Sequence, residues 1–131
     1  MNWWQGLKLP KLARPRADTQ ALGQAGEDAA LAYLQQRGLV LLERNFRCKA
    51  GEIDLIMRDG AQLIFVEVRL RASAKFGGAS ASVTPAKQRR LLLTAQYYLQ
   101  RHSPLPRCRF DLIAIEAGQI FWLQDIIAAA D

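Results

Sequence analysis

The sequence is poor in the residues that would tie it to several common kinds of site. It has a single histidine, His102, and two widely separated cysteines, Cys48 and Cys108. A His-rich metal centre is therefore excluded, and no paired thiolate spacing of a zinc site is present. Two reduced thiols in the cytosol are the simpler reading of the cysteines, since nothing forces a disulfide between them. No apolar run approaches the roughly 20 residues of a membrane-spanning helix. The opening stretch, MNWWQGLKLPKLARPR, lacks the apolar core of a secretory signal. These absences point to a cytoplasmic protein with no membrane partner. His102 is read as a helix-end residue, where positive charge is favourable. Acids are also scarce relative to bases: 12 Asp and Glu against 18 Lys and Arg, a net charge of +6. A polyanion is a natural partner for such a chain.

What is present is an ordinary globular composition, 50% hydrophobic and 23% charged. The 131 residues suit one domain, and a chain of that size buries around two-thirds of its unfolded surface. Residues 1–17 read as a basic tail with Lys8, Lys11, Arg14, Arg16 and a Trp3-Trp4 pair. It is either a mobile extension or an arm whose aromatics stack on nucleic acid. Residues 18–131 form the domain. Asp18 or Thr19 caps a helix to about Arg37, with Leu22, Ala25, Ala29, Ala32 and Tyr33 as its apolar stripe and Gly38 just past its end. A strand follows over Leu39 to Arg47, then a hairpin turning at Asp59-Gly60. After the Gly- and Ser-rich ASAKFGGASASV, Thr84-Pro85 starts a second helix to about Arg101, burying Leu91, Leu92, Ala95, Tyr98 and Leu99. Ser103-Pro104 stops it. Two last strands, RFDLIAIE and QIFWLQDII, meet around Ala117-Gly118. The order α-β-β-β-α-β-β predicts a mixed α+β or α/β fold with helices packed on a sheet.

The hairpin GEIDLIMRDGAQLIFVEVRLR carries acids where strands disfavour them. A two-residue turn at Asp59-Gly60 sets Glu52 opposite Glu67 and places Glu52, Asp54, Glu67, Arg69 and Arg71 on one face. Ile53, Leu55, Met57, Ile64, Val66, Val68 and Leu70 then form the core face. Asp54 and Glu67 lie diagonally, their Cβ atoms about 7 Å apart, close enough to converge on one cation. A hard divalent ion takes such carboxylate oxygens together with phosphate and water. The plainer alternative is a solvated face of weak surface ion pairs. A second cluster, Lys87-Gln88-Arg89-Arg90, puts positive charge in the first turns of a helix, against the dipole. Those cations suit phosphates passing the carboxylates, with Arg71 and Lys75 extending the zone, or they are simply a solvated basic face.

GEIDLI followed by FVEVR resembles the PD-(D/E)xK nuclease motif, with Asp54 as its Asp and Glu67 as the acid of its second element. Together with GQAGEDAALAYLQQRGLVLLERNFR, FGGASASVTPAKQRRLLLTAQYYL and RFDLIAI, these segments resemble the YraN-like family of predicted endonucleases, similar to archaeal Holliday junction resolvases. The resemblance covers nearly everything from Gly23 to Ile115. It implies a restriction-endonuclease-like α-β-β-β-α-β core with a central mixed sheet flanked by helices. It also implies a Mg2+ or Mn2+ ion held by Asp54, Glu67 and the Val68 carbonyl, with Glu27 as the helical acid and Gln88 as a supporting polar residue. Arg69 departs from the pattern, which has Lys there. Arg keeps the charge that stabilises a developing oxyanion, but it does not give up its proton, so it is no base. Either a cation suffices, or Lys75 or Lys87 takes over, or the site is impaired.

The expectation is thus a metal-dependent endonuclease acting on DNA. Asp54, Glu67, Arg69, Glu27 and Gln88 would serve catalysis, and Arg71, Lys75, Lys87, Arg89 and Arg90 would hold phosphates. Phosphate contacts carry no sequence information, which favours a structure-selective substrate such as branched DNA. A homodimer would be the resolvase-like assembly. The rivals are a nucleic-acid-binding protein that keeps the nuclease fold without cutting, and a basic protein-interaction domain.

Overall fold

The computed structural model describes residues 16–71 and 83–127; Lys75, the Trp3-Trp4 pair and the side chain of Arg71 lie outside the described set. The elements are α1 (Arg16–Gln36), β1 (Val40–Cys48), β2 (Gly51–Asp59), β3 (Gln62–Arg71), α2 (Pro85–Leu99), β4 (Cys108–Glu116) and β5 (Gln119–Leu123). The mixed α+β class and the α-β-β-β-α-β-β order are as the sequence predicts. One five-stranded sheet runs β1-β2-β3-β4-β5. All neighbours are antiparallel except β3 and β4, which are parallel. A parallel pair needs a crossover, and α2 lies within it.

Local chemistry sets the element ends. Gly38 has a φ of +92°. Its N–H donates to the Gln35 carbonyl at 3.0 Å, and the Leu39 N–H to that of Leu34 at 3.2 Å. This is the pair of bonds of a Schellman motif, and the buried Leu39 supplies its apolar contact. The other end of α1 differs from expectation: the helix already includes Arg16, so Asp18 and Thr19 lie within it and do not cap it. Thr84 caps α2 by accepting from the Lys87 N–H at 3.2 Å, and Pro85 opens the first turn. That helix ends at Leu99 rather than Arg101. His102 follows it and packs on Tyr98, ring centroids 5.2 Å apart. Both cysteines are free. Among the described residues no helix is long and apolar enough to cross a membrane.

Packing corrects three further expectations. The sheet is buried on both faces, so the hairpin has no single core face. Leu55, Met57, Ile64, Val66, Ile113 and Ile115 pack with Ala30 and Leu34 of α1. Ile53, Ile56, Leu63, Phe65, Phe110 and Leu112 pack with Leu91, Ala95 and Tyr98 of α2. Strands covered on both sides read as continuous apolar runs, as LIM, LIFV and LIAI do. Second, the turn is Gly60-Ala61, with Asp59 opposite Gln62 and Leu55 opposite Val66. The register therefore slides by two residues, and Glu52 no longer faces Glu67. Third, the buried stripe of α1 is Gly26, Ala30 and Leu34. Ala25, Ala29 and Ala32, expected in the core, line an apolar groove of about 500 Å³ beside Ile120 instead, and Tyr33 borders that groove while packing against the core. An alanine-rich helix has apolar positions on several sides, so spacing alone does not choose among them.

Two close approaches fix the layers. Gly51 has φ +154°, and a Cβ there would lie 3.0 Å from Thr94 Oγ1, so α2 rests directly on the β1–β2 turn. Asp111, fully buried in β4, accepts from Arg109 Nε at 2.9 Å, Trp122 Nε1 at 2.9 Å and the Asp125 N–H at 2.9 Å. Both oxygens of that carboxylate are thus satisfied, and it ties β4 to β5 and the segment beyond it.

Candidate functional site

The cleft that gathers the predicted site lies where β2 and β3 part. Ile53 and Ile56 pack toward α2 while Leu55 and Met57 pack toward α1, so the alternation of β2 breaks between 53 and 56. The β2–β3 ladder is traced from the turn to Leu55↔Val66. Beyond it Asp54 Oδ2, rather than a main-chain carbonyl, accepts the Val68 N–H at 2.8 Å. The parting strands leave a cleft of about 230 Å³ lined by Gly23, Gly26, Glu27, Glu52, Asp54, Glu67, Val68, Arg69, Leu70 and Lys87. That is below the usual size of a small-molecule pocket. It suits an ion, waters and one phosphate group.

Glu27, Glu52 and Asp54 each bring a carboxylate oxygen within 4.8 Å of the other two. Glu27 comes from α1, next to Gly26, where a Cβ would already touch Ile115 of β4 at 3.9 Å. The small residue lets the helix sit close to the sheet, and so brings the acid to the strands. Glu27 Oε1 is buried without a hydrogen-bond partner, 3.6 Å from Arg44 Nη2. Burial pushes the Glu27 carboxyl above its ordinary range, against the pull of Arg44 and Asn45. Asp54 is pushed up to about 8, chiefly by burial and then by the charge of Glu67, with the Val68 N–H opposing. Burial and the neighbouring Glu67 charge thus both favour the protonated form of Asp54. Glu67 itself is 4% exposed. Its Oε2 is held from both sides, by Arg69 Nη2 at 2.8 Å and Lys87 Nζ at 3.0 Å.

Of the residues singled out in the sequence, Glu27, Asp54, Glu67, Val68, Arg69 and Lys87 meet in this cleft. Glu52 completes the acidic trio and also pairs with Arg47. The hairpin pattern puts Glu52 on the right face without giving it a ligand role; the signal was its position two residues from Asp54. Gln88 does not line the cleft, and its amide donates to the Val83 carbonyl at 3.1 Å. Arg89 and Arg90 are exposed, further along α2. Arg71 ends β3, and Lys75 lies outside the described residues.

The donor set fits a hard divalent cation. Three convergent carboxylates offer oxygens alone, the choice of Mg2+ and Mn2+, and the buried Glu27 Oε1, with only the 3.6 Å ion pair to Arg44, accepts no hydrogen bond. Two larger grooves, beside Ile120 and beside the hairpin turn, hold one carboxylate each.

Comparison with known proteins agrees with the family that the motifs resemble. A family model described as uncharacterised protein family UPF0102 matches residues 26–115, from the middle of α1 through most of β4. A UPF0102 protein of Janthinobacterium sp. (strain Marseille) is 60% identical over 123 residues, covering 94% of this chain and 100% of the relative. One from Herminiimonas arsenicoxydans is 58% identical over 122 residues, covering 92% and 98%. One from Ralstonia pickettii (strain 12J) is 57% identical over 116 residues, covering 85% and 93%. The chain belongs to the UPF0102 family.

Proposed function

We infer that this protein is a metal-dependent endonuclease that hydrolyses DNA phosphodiester bonds, with branched DNA as a structure-selective substrate. The observation that carries the reading is the convergence of Glu27, Glu52 and Asp54 in one small cleft, beside Glu67 and the cations Arg69 and Lys87. A bound Mg2+ or Mn2+ would supply a water of lowered pKa and would neutralise charge on the phosphoryl oxygen. Glu27, Glu52 and Asp54 would hold that ion, with Glu67 beside them.

The chain's own residues do the rest. Arg69 and Lys87 both rest on Glu67 and line the cleft, so an incoming phosphate competes with one carboxylate oxygen for two cations. Arg69 stabilises charge on the pentacovalent phosphate but serves as no base. Lys87 supplies the compact ammonium that the motif usually carries at the Arg69 position. Arg89 and Arg90, with Arg71 and Lys75, hold flanking phosphates and set register without reading bases. A cytoplasmic homodimer would act on two strands.

The specific observation favouring a second reading, nucleic-acid binding without cleavage, is that both cations are engaged on Glu67. The test offers linear, single-stranded and branched DNA to wild type, Glu67→Ala and Arg69→Lys with Mg2+ or Mn2+. Cutting by wild type that Glu67→Ala loses supports the enzyme. Cutting by Arg69→Lys alone supports the second reading, and persistence in Glu67→Ala misplaces the site. Binding that is insensitive to salt would instead favour a protein-interaction domain.

A further inference from the structure

Asn45 stands inside β1 with a φ of 52°. That left-handed conformation is unfavourable for residues with a Cβ and is best tolerated by Asn and Asp. Strain of this kind persists where the surroundings over-determine it, and it gathers at functional sites. Its geometric effect here is local. Successive residues of a regular strand point to opposite faces, yet Arg44 and Asn45 both reach the acids of α1. Arg44 Nη2 lies 2.7 Å from Asp28 Oδ1 and 3.6 Å from Glu27 Oε1. Against the burial that raises the Glu27 carboxyl, the Arg44 and Asn45 side chains both favour its charged form. The ladder pairs on either side, Arg44↔Leu55 and Phe46↔Ile53, set Asn45 level with Asp54 of β2.

A long acid on a helix has several rotamers, and Glu27 needs one of them to meet Glu52 and Asp54. We propose that Asn45 is a positioning residue: its left-handed turn in β1 directs its amide onto Glu27, fixing that carboxylate in the trio and raising the affinity of the cleft for a divalent cation. Arg44 cannot do this alone, because its shorter contact is to Asp28, outside the trio. The inference rests on the metal-site reading above. Partners that orient a ligand from behind typically change metal affinity about tenfold or more.

The test uses Asn45→Gly, which keeps the positive φ without strain and removes the amide. Mn2+ affinity is measured by calorimetry on the full chain, with thermal midpoints in EDTA, for wild type, Asn45→Gly, Glu27→Gln and the double variant. The expected result is a roughly tenfold loss of Mn2+ affinity in Asn45→Gly, with the EDTA midpoint close to wild type. In the Glu27→Gln background the same change should have no further effect. Wild-type affinity in Asn45→Gly overturns the proposal and leaves the metal site standing. An equal loss in both backgrounds also overturns it, since Asn45 would then act other than through Glu27. Absence of Mn2+ binding by wild type overturns the proposal and the metal-site reading together.

Discussion

The substitution Asp54→Asn should make this protein more stable, and increasingly so as the pH rises. Asp54 has its pKa pushed from 3.8 to about 8, first by burial and then by Glu67. Between those values the folded chain holds a proton that the unfolded chain has released, so stability falls with pH by about 1.4 kcal/mol per unit. The favourable contribution is complete below the unfolded pKa of 3.8 and is lost progressively as pH climbs to about 8. From pH 5 to 8 the loss amounts to about 4 kcal/mol at most, and on the order of 2 kcal/mol if the cleft relaxes. The substituted amide is neutral at every pH, and its oxygen still accepts the Val68 N–H. The variant and wild type should therefore melt together near pH 4. They should separate to roughly 10 °C at pH 8, since about 1 kcal/mol moves the midpoint of a chain this size by roughly 4 °C. Thermal melts in EDTA from pH 4 to 8.5 measure it. A difference that does not change with pH, or a less stable variant at pH 8, refutes the reasoning. Saturating Mn2+ at pH 8 should narrow the gap by stabilising wild type more than the variant.

Other perturbations test other layers of the argument. Asp111→Ala should cost about 3–5 kcal/mol in urea unfolding, because it strands the Arg109 guanidinium and the Trp122 and Asp125 donors in a buried setting. Gly51→Ala should cost about 1–3 kcal/mol, read as a lower urea midpoint, because the new Cβ meets Thr94 Oγ1 at a positive φ. Arg89→Ala and Arg90→Ala should each flatten the log-log salt dependence of DNA binding by about 1, without changing Mn2+ affinity in calorimetry. Lys87→Ala should tighten Mn2+ binding in the same titration, by releasing the Glu67 carboxylate from one of its two cations.

The helices and strands were legible where their ends carry local chemistry: Gly38 after α1, Thr84-Pro85 before α2, Ala117-Gly118 between β4 and β5. Left-handed φ values of 50° and 78° at that last pair explain why it turns the chain so tightly. The faces were harder. Leu55 and Ile56 are both fully buried, and no pattern of alternation announces a sheet covered on two sides. The turn slipped by one residue because Asp59-Gly60 and Gly60-Ala61 are both acceptable pairs, and only tertiary packing chooses between them. Asp54 and Glu67 stand out from the hairpin pattern and again from the motif, yet the convergence of Glu52 on Asp54 and Glu27 depends on a break in β2 that side-chain spacing does not encode. Asn45 was invisible as a strand residue, since its role lies in a backbone angle.

The bond from Val68 to Asp54 replaces a main-chain partner with a titrating carboxylate at 2.8 Å. That makes one backbone amide a reporter for the whole cleft. Its 15N–1H cross-peak should move as Asp54 loses its proton near pH 8. It should move again, at fixed pH, when diamagnetic Mg2+ takes the same oxygen. A single resonance thus separates proton release from cation capture in a protein at rest.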